Sequence, residues 1–188
     1  MAAVHREPDF PTAGRPVVAF LGRSNVGKSS LLNRLLGRPA ARVGKEPGKT
    51  RGIYFYETGE GHQLADLPGA GFARVSKEER ERWAALADRF FRSQNVVLAV
   101  RLIDARVPDS PADAAMRDYV QALGVPDIAV ATKWDRLPAA RRARARRALE
   151  ARHGTVLPVS TKTGEGIATL RRQLRQRIDE EKKEEPHG

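Results

Sequence analysis

The chain has 188 residues, a formal net charge of +11 at pH 7 and no cysteine. Disulfides, thiolate metal sites and cysteine nucleophiles are therefore excluded. The apolar runs, such as residues 96–100, are far too short to span a bilayer, and residues 1–14 lack the apolar core of a signal peptide. We expect a cytoplasmic monomer that does not bind membranes. The excess of lysine and arginine predicts either a polyanionic partner such as RNA or a solvated basic surface.

Apolar periodicity predicts six strands and five helices, which alternate along the chain. The strands are expected at residues 17–21, 53–56, 62–67, 96–103, 128–131 and 155–159, and the helices at 28–36, 76–94, 111–123, 139–152 and 167–181. This alternation is typical of an α/β fold with a doubly wound, mostly parallel six-stranded sheet and helices on both faces. Residues 1–15 are expected to form a short flexible lead-in, 16–178 a single domain and 179–188 a charged, frayed tail.

A glycine-rich stretch lies between the first predicted strand and the first predicted helix. Its residues are Gly22, Arg23, Ser24, Asn25, Val26, Gly27, Lys28, Ser29 and Ser30, with the spacing of a phosphate-binding P-loop. Glycines let the backbone wrap around a phosphate chain with its N–H groups pointing inward, and a helix N-terminus adds partial positive charge. Lys28 is placed to bind the terminal phosphates, and the Ser29 hydroxyl to bind Mg²⁺. The stretch predicts a nucleotide-phosphate site rather than a chance glycine-rich turn.

A basic loop at residues 38–52 follows the first helix. Loops of this length are usually functional or disordered. The loop ends with Gly48, Lys49, Thr50, Arg51 and Gly52. From the residues alone, a switch that responds to a ligand and a mobile surface loop fit this composition equally well.

The third predicted strand ends in Asp66, Leu67, Pro68 and Gly69. An acidic residue at a strand end can hold Mg²⁺ through water, and a glycine three residues later can present an unhindered N–H to the terminal phosphate of a nucleotide. Asp-x-x-Gly alone is a common strand-ending turn. Because it follows a P-loop here, we interpret it as the second half of a phosphate site.

A base-reading motif is predicted after the fifth strand, at Thr132, Lys133, Trp134 and Asp135. Guanine presents its N1–H and its exocyclic amino group side by side, so the Asp135 carboxylate can accept from both, whereas adenine has an acceptor at N1. The Lys133 stem can lie along the base while its ammonium contacts the P-loop. Further on, Ser160, Thr161 and Lys162 can supply a backbone N–H to guanine O6, and Val159, which precedes them, is also expected in the nucleotide site. The alternative is a polar loop with Asp135 near a helix N-cap.

Arginines crowd two of the predicted helices. One helix carries Arg141, Arg142, Arg144, Arg146, Arg147 and Arg152, and another carries Arg171, Arg172, Arg175 and Arg177. This density exceeds what solubility needs, and like charges on one helix repel each other. We interpret both helices as an RNA-facing surface, with a solvated face as the alternative.

With these motifs in this order, the chain resembles the translation-factor-related GTPases. It is most similar to the EngB family of ribosome-assembly GTPases, also called YihA or YsxC, within the TrmE-Era-EngA-EngB-Septin-like group. The resemblance covers residues 16–178 and implies a small-GTPase-like G domain. It is carried by Gly22–Ser30, Pro47–Thr50, Asp66–Gly69, Val75–Arg80 and Ile103–Arg106.

This resemblance implies a GTPase that binds GTP or GDP with Mg²⁺ and acts as a switch in assembly of the large ribosomal subunit, with a link to cell division and septation. The resemblance implies that Lys28, Thr50 and Gly69 are catalytic. It also implies that Ser29, Thr50 and Asp66 bind Mg²⁺. Thr50 would join the metal ion only when a γ-phosphate is present, and residues 42–52 and 69–76 would be the moving segments. The arginine-rich helices would face rRNA.

Two positions bear on the expected rate of hydrolysis. Ras-like GTPases place a water-orienting glutamine directly after the switch glycine, but this chain has Ala70, where EngB relatives usually carry a larger aromatic residue. We therefore expect slow hydrolysis that a partner or a cation accelerates. Asn25 matches the P-loop asparagine that helps to bind K⁺ in related potassium-stimulated GTPases. Two alternatives stay open: a guanine-nucleotide-stabilised RNA-binding module with negligible turnover, and an adenine-nucleotide P-loop enzyme, which Asp135 argues against.

Overall fold

The strands at the centre of the molecule are short, apolar and buried, and helices follow them along the chain. The computed structural model describes residues 2–5, 10–11, 14–41, 52–69, 76–107 and 110–184. The strands are β1 (Ala2–His5), β2 (Val17–Gly22), β3 (Ile53–Glu57), β4 (Gln63–Asp66), β5 (Val96–Asp104), β6 (Asp127–Thr132) and β7 (Val156–Pro158). The helices are α1 (Lys28–Leu36), α2 (Lys77–Ser93), α3 (Pro111–Ala122), α4 (Ala139–His153) and α5 (Ile167–Glu184), with a 3-10 turn at Trp134–Arg136.

The strands form one sheet in the order β1-β3-β4-β2-β5-β6-β7. Strands β4, β2, β5, β6 and β7 run parallel to one another, whereas β3 is antiparallel to both β4 and β1. The six predicted strands are present as β2 to β7. The predicted doubly wound, mostly parallel α/β fold is therefore confirmed.

Apolar layers cover both faces of the sheet. In β2, Val18 and Phe20 face a layer that they share with α1 and α5. Val17, Ala19 and Leu21 face the opposite layer, which they share with α2 and α3. Because successive side chains of a strand point to opposite faces, a continuous apolar run suits a strand in the middle of a parallel sheet. This packing fixes the carboxyl ends of β2, β5 and β6 at one edge, where open α/β sheets bind ligands.

The predicted flexible lead-in at residues 1–15 contains a strand, so the sheet has seven strands instead of the six expected. β1 pairs antiparallel with β3, from Ala2 opposite Tyr56 to His5 opposite Ile53. Without β1, the outer edge of β3 would present a row of unpaired backbone N–H and C=O groups. The pairing was not predicted because the strand is short and prolines follow it.

Helix α5 also extends beyond the predicted domain limit at residue 178. It continues to Glu184, into the tail for which fraying is predicted over 179–188. Ile178 is buried, and Arg177 forms an ion pair with Glu181 one turn further on, at 3.6 Å. Both features stabilise the last turns of the helix. Among the helices that the structure describes, none is long and apolar enough to cross a membrane.

Candidate functional site

The glycine-rich stretch connects β2 to α1 at the edge of the sheet where ligands are expected. Gly22 is the last residue of β2 and Lys28 the first of α1. Between them the backbone turns through left-handed conformations at Asn25, with φ of 62°, and at Gly27, with φ of 106°. A side chain at Gly27 would be strained at this φ. The turn leaves the first N–H groups of α1 facing the open edge, where they can bind an anion.

Lys28 and Asp66 meet at the base of this loop. Lys28 is 9% exposed and Asp66 is 7% exposed. The Lys28 ammonium forms an ion pair with the Asp66 carboxylate and donates to the Leu67 carbonyl oxygen. The ion pair is made through Oδ1 of Asp66. The buried ammonium is suited to a phosphate, and the buried carboxylate to a metal ion.

Ser29 and Asp66 are the described residues that fit a Mg²⁺ ion. No three His, Cys, Asp or Glu side chains gather into a metal site in the ranges that the structure describes. Mg²⁺ does not need such a cage, because it usually takes one or two carboxylates and completes its shell with phosphates and water. One carboxylate and one hydroxyl beside a phosphate cradle therefore match the requirements of this ion.

The segment Asp66–Gly69 lies directly against the P-loop. A Cβ atom on Gly69 would lie 3.1 Å from the backbone nitrogen of Ser24, which is tighter than nearly all real contacts of this kind. On the other side, Trp83 of α2 donates from Nε1 to the Pro68 carbonyl oxygen at 2.9 Å. Glycine at position 69 thus lets the segment Asp66–Gly69 approach the P-loop backbone closely, as a phosphate site between the two requires.

Thr132 and Lys133 join the end of β6 to the P-loop. The Thr132 hydroxyl donates to the Val26 carbonyl oxygen at 2.7 Å. The Lys133 ammonium donates to the Asn25 carbonyl oxygen at 2.6 Å, so the predicted contact between this ammonium and the P-loop is present. Lys133 has left-handed backbone, with φ of 57°. The base-reading motif and the P-loop therefore form one connected unit.

Asp104, at the end of β5, holds the Lys133 ammonium from another side. Its carboxylate lies 2.8 Å from the Lys133 ammonium and accepts two hydrogen bonds from the Arg106 guanidinium, at 2.9 and 2.7 Å. Burial raises the pKa of Asp104, but the hydrogen bonds from Arg106 and Lys133 outweigh it and hold that pKa well below its ordinary value. The sequence analysis missed this role because the contact joins residues 29 positions apart.

Asp135 is oriented by Ser160. The Ser160 side chain is fully buried, and its hydroxyl donates to Oδ1 of Asp135 at 2.7 Å. The Ser160 N–H donates to the Glu165 carbonyl oxygen at 3.0 Å. It is therefore not available to guanine O6, and Ser160 acts through its hydroxyl. Within the predicted stretch, the N–H groups of Thr161 and Lys162 are left as the predicted donors.

Trp134 anchors the base-reading motif to the core beneath α4. Its side chain is 4% exposed and belongs to the same apolar cluster as Leu149. The backbone N–H of Trp134 donates to the Val159 carbonyl oxygen at 3.2 Å. Base recognition is thus left to its two neighbours, Lys133 and Asp135.

Arg23, the second residue of the P-loop, is tied to α3. Its Nε lies 3.1 Å from Oδ1 of Asp113, which is 2% exposed in the first turn of that helix. Burial raises the pKa of Asp113, although the Arg23 guanidinium opposes the rise. Nothing in the local sequence indicates this pair, because its members lie 90 positions apart. It gives Arg23 a part in fixing the P-loop to the rest of the fold.

Several predicted site residues lie outside the described residues. They are Gly48, Lys49, Thr50 and Arg51 of the basic loop, together with Ala70. Gly52 is described; it is buried and directly precedes β3. The role of Thr50 as a Mg²⁺ ligand and switch residue therefore stays a prediction.

Comparison with known families gives a consistent result. Residues 17–133 match the family model described as a 50S ribosome-binding GTPase. The chain is 41% identical over 177 residues to the probable GTP-binding protein EngB of Thermotoga sp. (strain RQ2), which covers 90% of this chain and 91% of that relative. It is 40% identical over 180 residues to the probable GTP-binding protein EngB of Anaeromyxobacter sp. (strain Fw109-5), with 88% of this chain and 83% of the relative covered.

Solved structures show the same fold. A crystal structure of a probable GTP-binding protein engB superposes with a TM-score of 0.68 and 26% identity over 87% of this chain and 99% of that one. A crystal structure of Era in complex with MgGDPNP and nucleotides of 16S ribosomal RNA has a TM-score of 0.69 and 23% identity, and covers 86% of this chain and 56% of that one. The second similarity supports the fold alone.

Proposed function

This chain belongs to the EngB family of GTP-binding proteins and hydrolyses GTP, and from that premise we propose that it acts as a slow, Mg²⁺-dependent switch in assembly of the large ribosomal subunit. The observation that carries the nucleotide part is the Asp135 carboxylate, fixed by Ser160 in a motif that Lys133 joins to the P-loop. The ribosomal part is supported by the description of the matching family and by the net charge of +11. We expect the protein to act in the cytoplasm, with a link to cell division.

Guanine would be read by Asp135. A carboxylate held in one orientation can accept hydrogen bonds from both the N1–H and the exocyclic amino group of guanine. Adenine would offer this carboxylate neither of the two donors that guanine provides, and a partly buried carboxylate that loses hydrogen-bond donors is costly. An adenine-nucleotide enzyme is therefore the weaker candidate.

The phosphates would be bound by Lys28, by the first N–H groups of α1 and by the N–H of Gly69. Lys28 would exchange its contact with Asp66 for one with the terminal phosphates. Ser29 and Asp66, with Thr50, would hold Mg²⁺, whose charge offsets that of the phosphate oxygens. Ala70 stands where Ras-like enzymes have a water-orienting glutamine, so slow hydrolysis is expected in the absence of a partner.

A second cation, K⁺, is proposed to assist at Asn25. Asn25 lies in the P-loop, and its side chain makes no hydrogen bond with the described residues, which leaves its amide oxygen for a ligand. Turnover in K⁺ buffer should exceed turnover in Na⁺ buffer at equal ionic strength. Equal rates would contradict a role for K⁺.

The test is phosphate release measured with and without purified large ribosomal subunits, together with co-sedimentation of the protein in GTP and in GDP. We expect subunit binding to be tighter with GTP and hydrolysis to rise when subunits are added. Binding without any stimulation of turnover would favour the RNA-binding module instead. Small ribosomal subunits provide the matched control for general affinity for RNA.

A further inference from the structure

The two arginine-rich helices differ in what their arginines contact. In α5, Arg171 donates to the carbonyl oxygens of Arg34 and Leu35 at the end of α1, at 2.7 and 3.2 Å. Arg175 lies 2.7 Å from the Glu60 carboxylate. This helix buries an apolar face against the sheet, with Ile167, Leu170, Leu174 and Ile178. Arg177 donates to the Val97 carbonyl oxygen at 3.2 Å. Arg171, Arg175 and Arg177 thus contribute to docking the helix on the rest of the protein.

Helix α4 is attached much more lightly. Its buried residues are Leu149 and His153. Three of its arginines, which we call the α4 stripe, are exposed, and their side chains make no hydrogen bond or ion pair with any residue that the structure describes. They are Arg141, Arg144 and Arg147. The acidic residue within α4 is Glu150, which pairs with Arg146 at 2.8 Å.

The α4 stripe has the geometry of a phosphate-binding surface. Its members are three residues apart and so lie along one side of the helix, within about 9 Å of its length. Guanidinium groups so close together repel each other, and no carboxylate among the described residues forms an ion pair with them. A polyanion would relieve this repulsion and release its own counterions. The small residues Ala140 and Ala143 leave the arginines accessible.

An acidic protein is a weaker candidate for this surface than RNA. Protein interfaces are usually anchored by buried aromatic or apolar side chains at their centre. In the part of the chain that the structure describes, the exposed large hydrophobic residue is Val107, which does not lie on α4. The stripe thus offers charge without an apolar anchor, which suits a phosphate backbone.

We propose that the α4 stripe binds the phosphate backbone of ribosomal RNA and that the docked α5 arginines, Arg171, Arg175 and Arg177, do not. This inference rests on the proposed ribosomal function and assigns the contact to one of the two helices. It predicts a contact that depends on charge and not on base sequence, because phosphates carry no sequence information.

The test compares two variants that lose the same charge. One combines Arg141→Gln, Arg144→Gln and Arg147→Gln; the control combines Arg171→Gln, Arg175→Gln and Arg177→Gln. Binding of GTP-loaded protein to large subunits, and to naked large-subunit rRNA, is measured across a salt series. The α4 variant should bind at least about tenfold more weakly, and its slope of log K against log salt should fall by about 2 to 3. The α5 control should keep the slope of the original protein.

Three results would overturn the inference. An α4 variant that binds as tightly as the original protein would do so, as would an equal loss in the α5 control. Loss on intact subunits with none on naked rRNA would point to an acidic ribosomal protein instead. GDP binding by both variants verifies that they fold, since neither helix face touches the nucleotide site described above. If the original protein does not bind large subunits at all, the proposed function fails, and this result is distinct from the others.

Discussion

The nucleotide site has two halves that are built in different ways. The base half is the motif Thr132–Asp135 with its partners Asp104 and Ser160, and the phosphate half is the P-loop with Asp66–Gly69. In the base half, Lys133 is held by Asp104 and by the P-loop, and Asp135 is held by Ser160. Each base-reading group therefore has a partner of its own that guanine does not displace. Such a half is organised before the ligand arrives, which lowers the cost of binding.

In the phosphate half, the two charged groups hold each other. Lys28 pairs with Asp66, and both are buried. A phosphate can be bound by Lys28 only if this pair is loosened, so binding changes contacts here that it leaves intact in the base half. The base half therefore selects guanine through contacts that exist before binding. The phosphate half changes its contacts on binding, so its conformation can depend on which phosphates the nucleotide carries.

The largest expected effect comes from Lys28→Ala, which removes the shared cation of the phosphate half. GDP affinity should fall by about 100-fold or more, because a charge-assisted contact is lost in a buried site. The variant should also unfold more easily, by about 3 kcal/mol, because Asp66 stays buried without its cation. Titration with a fluorescent GDP analogue and urea unfolding measure the two effects. Lys182→Ala, on the exposed face of α5, is the control, and retained GDP affinity would contradict the phosphate role.

Asp135→Asn breaks the base half while leaving the phosphate half intact. GDP affinity should fall by about 100-fold, and xanthine nucleotides should become the better ligands because an amide can donate to the extra carbonyl of xanthine. Competition between GDP and XDP measures this preference. If guanine is still preferred, the base is read elsewhere and the division into two halves is wrong.

Asp104→Asn tests whether the frame of the base half depends on charge. The uncharged amide still fills the space but holds Lys133 less strongly, so GDP affinity should fall by about tenfold and stability by about 1 to 2 kcal/mol at pH 7. Since the pKa of Asp104 is lowered in the folded protein, its contribution is fully present above the ordinary Asp pKa of about 4 and is lost as the pH falls below it. Urea unfolding of both proteins at several pH values should show the stability difference shrinking in acid. If the stability difference between the two proteins does not depend on pH, the charge of Asp104 is not what stabilises the base half.

Ser160→Ala should have the smallest effect, and it tests directly whether the base half is organised before guanine binds. It removes the hydroxyl that orients Asp135 but leaves the carboxylate, so we expect a three- to tenfold loss of GDP affinity, about 1 kcal/mol. Thr163→Ala is the matched control, because its hydroxyl accepts from the Glu165 N–H in the same loop and does not contact Asp135. Equal losses in the two variants would mean that the loop, and not the orientation of Asp135, sets the affinity.

The sequence predicts most of the fold because its signals are local. The continuous apolar run of β2 and the helical spacing of Leu31, Leu32 and Leu35 in α1 do not depend on distant residues. Strand β1 could not be predicted, because its position depends on the open edge of β3 rather than on its own sequence. The end of α5 depends likewise on the burial of Ile178.

The motifs of the site are also local, but the contacts that organise it are not. Lys28, Asp66 and Asp135 could be chosen from spacing and chemistry. The partners that fix the base-reading residues, Asp104 for Lys133 and Ser160 for Asp135, depend on which strands become neighbours in the sheet. Spacing could not show that the Ser160 N–H donates to the Glu165 carbonyl oxygen, and so it could not narrow the predicted donor for guanine O6 to one residue among Ser160, Thr161 and Lys162.

The positions of the two tryptophans provide an optical readout for the two halves. Trp83 donates to the Pro68 carbonyl oxygen in the phosphate half, and Trp134 lies within the base-reading motif. A Trp134→Phe protein would emit from the phosphate half alone, and a Trp83→Phe protein from the base half alone. Rapid mixing with nucleotide could then time the two halves separately, without any label attached to the protein.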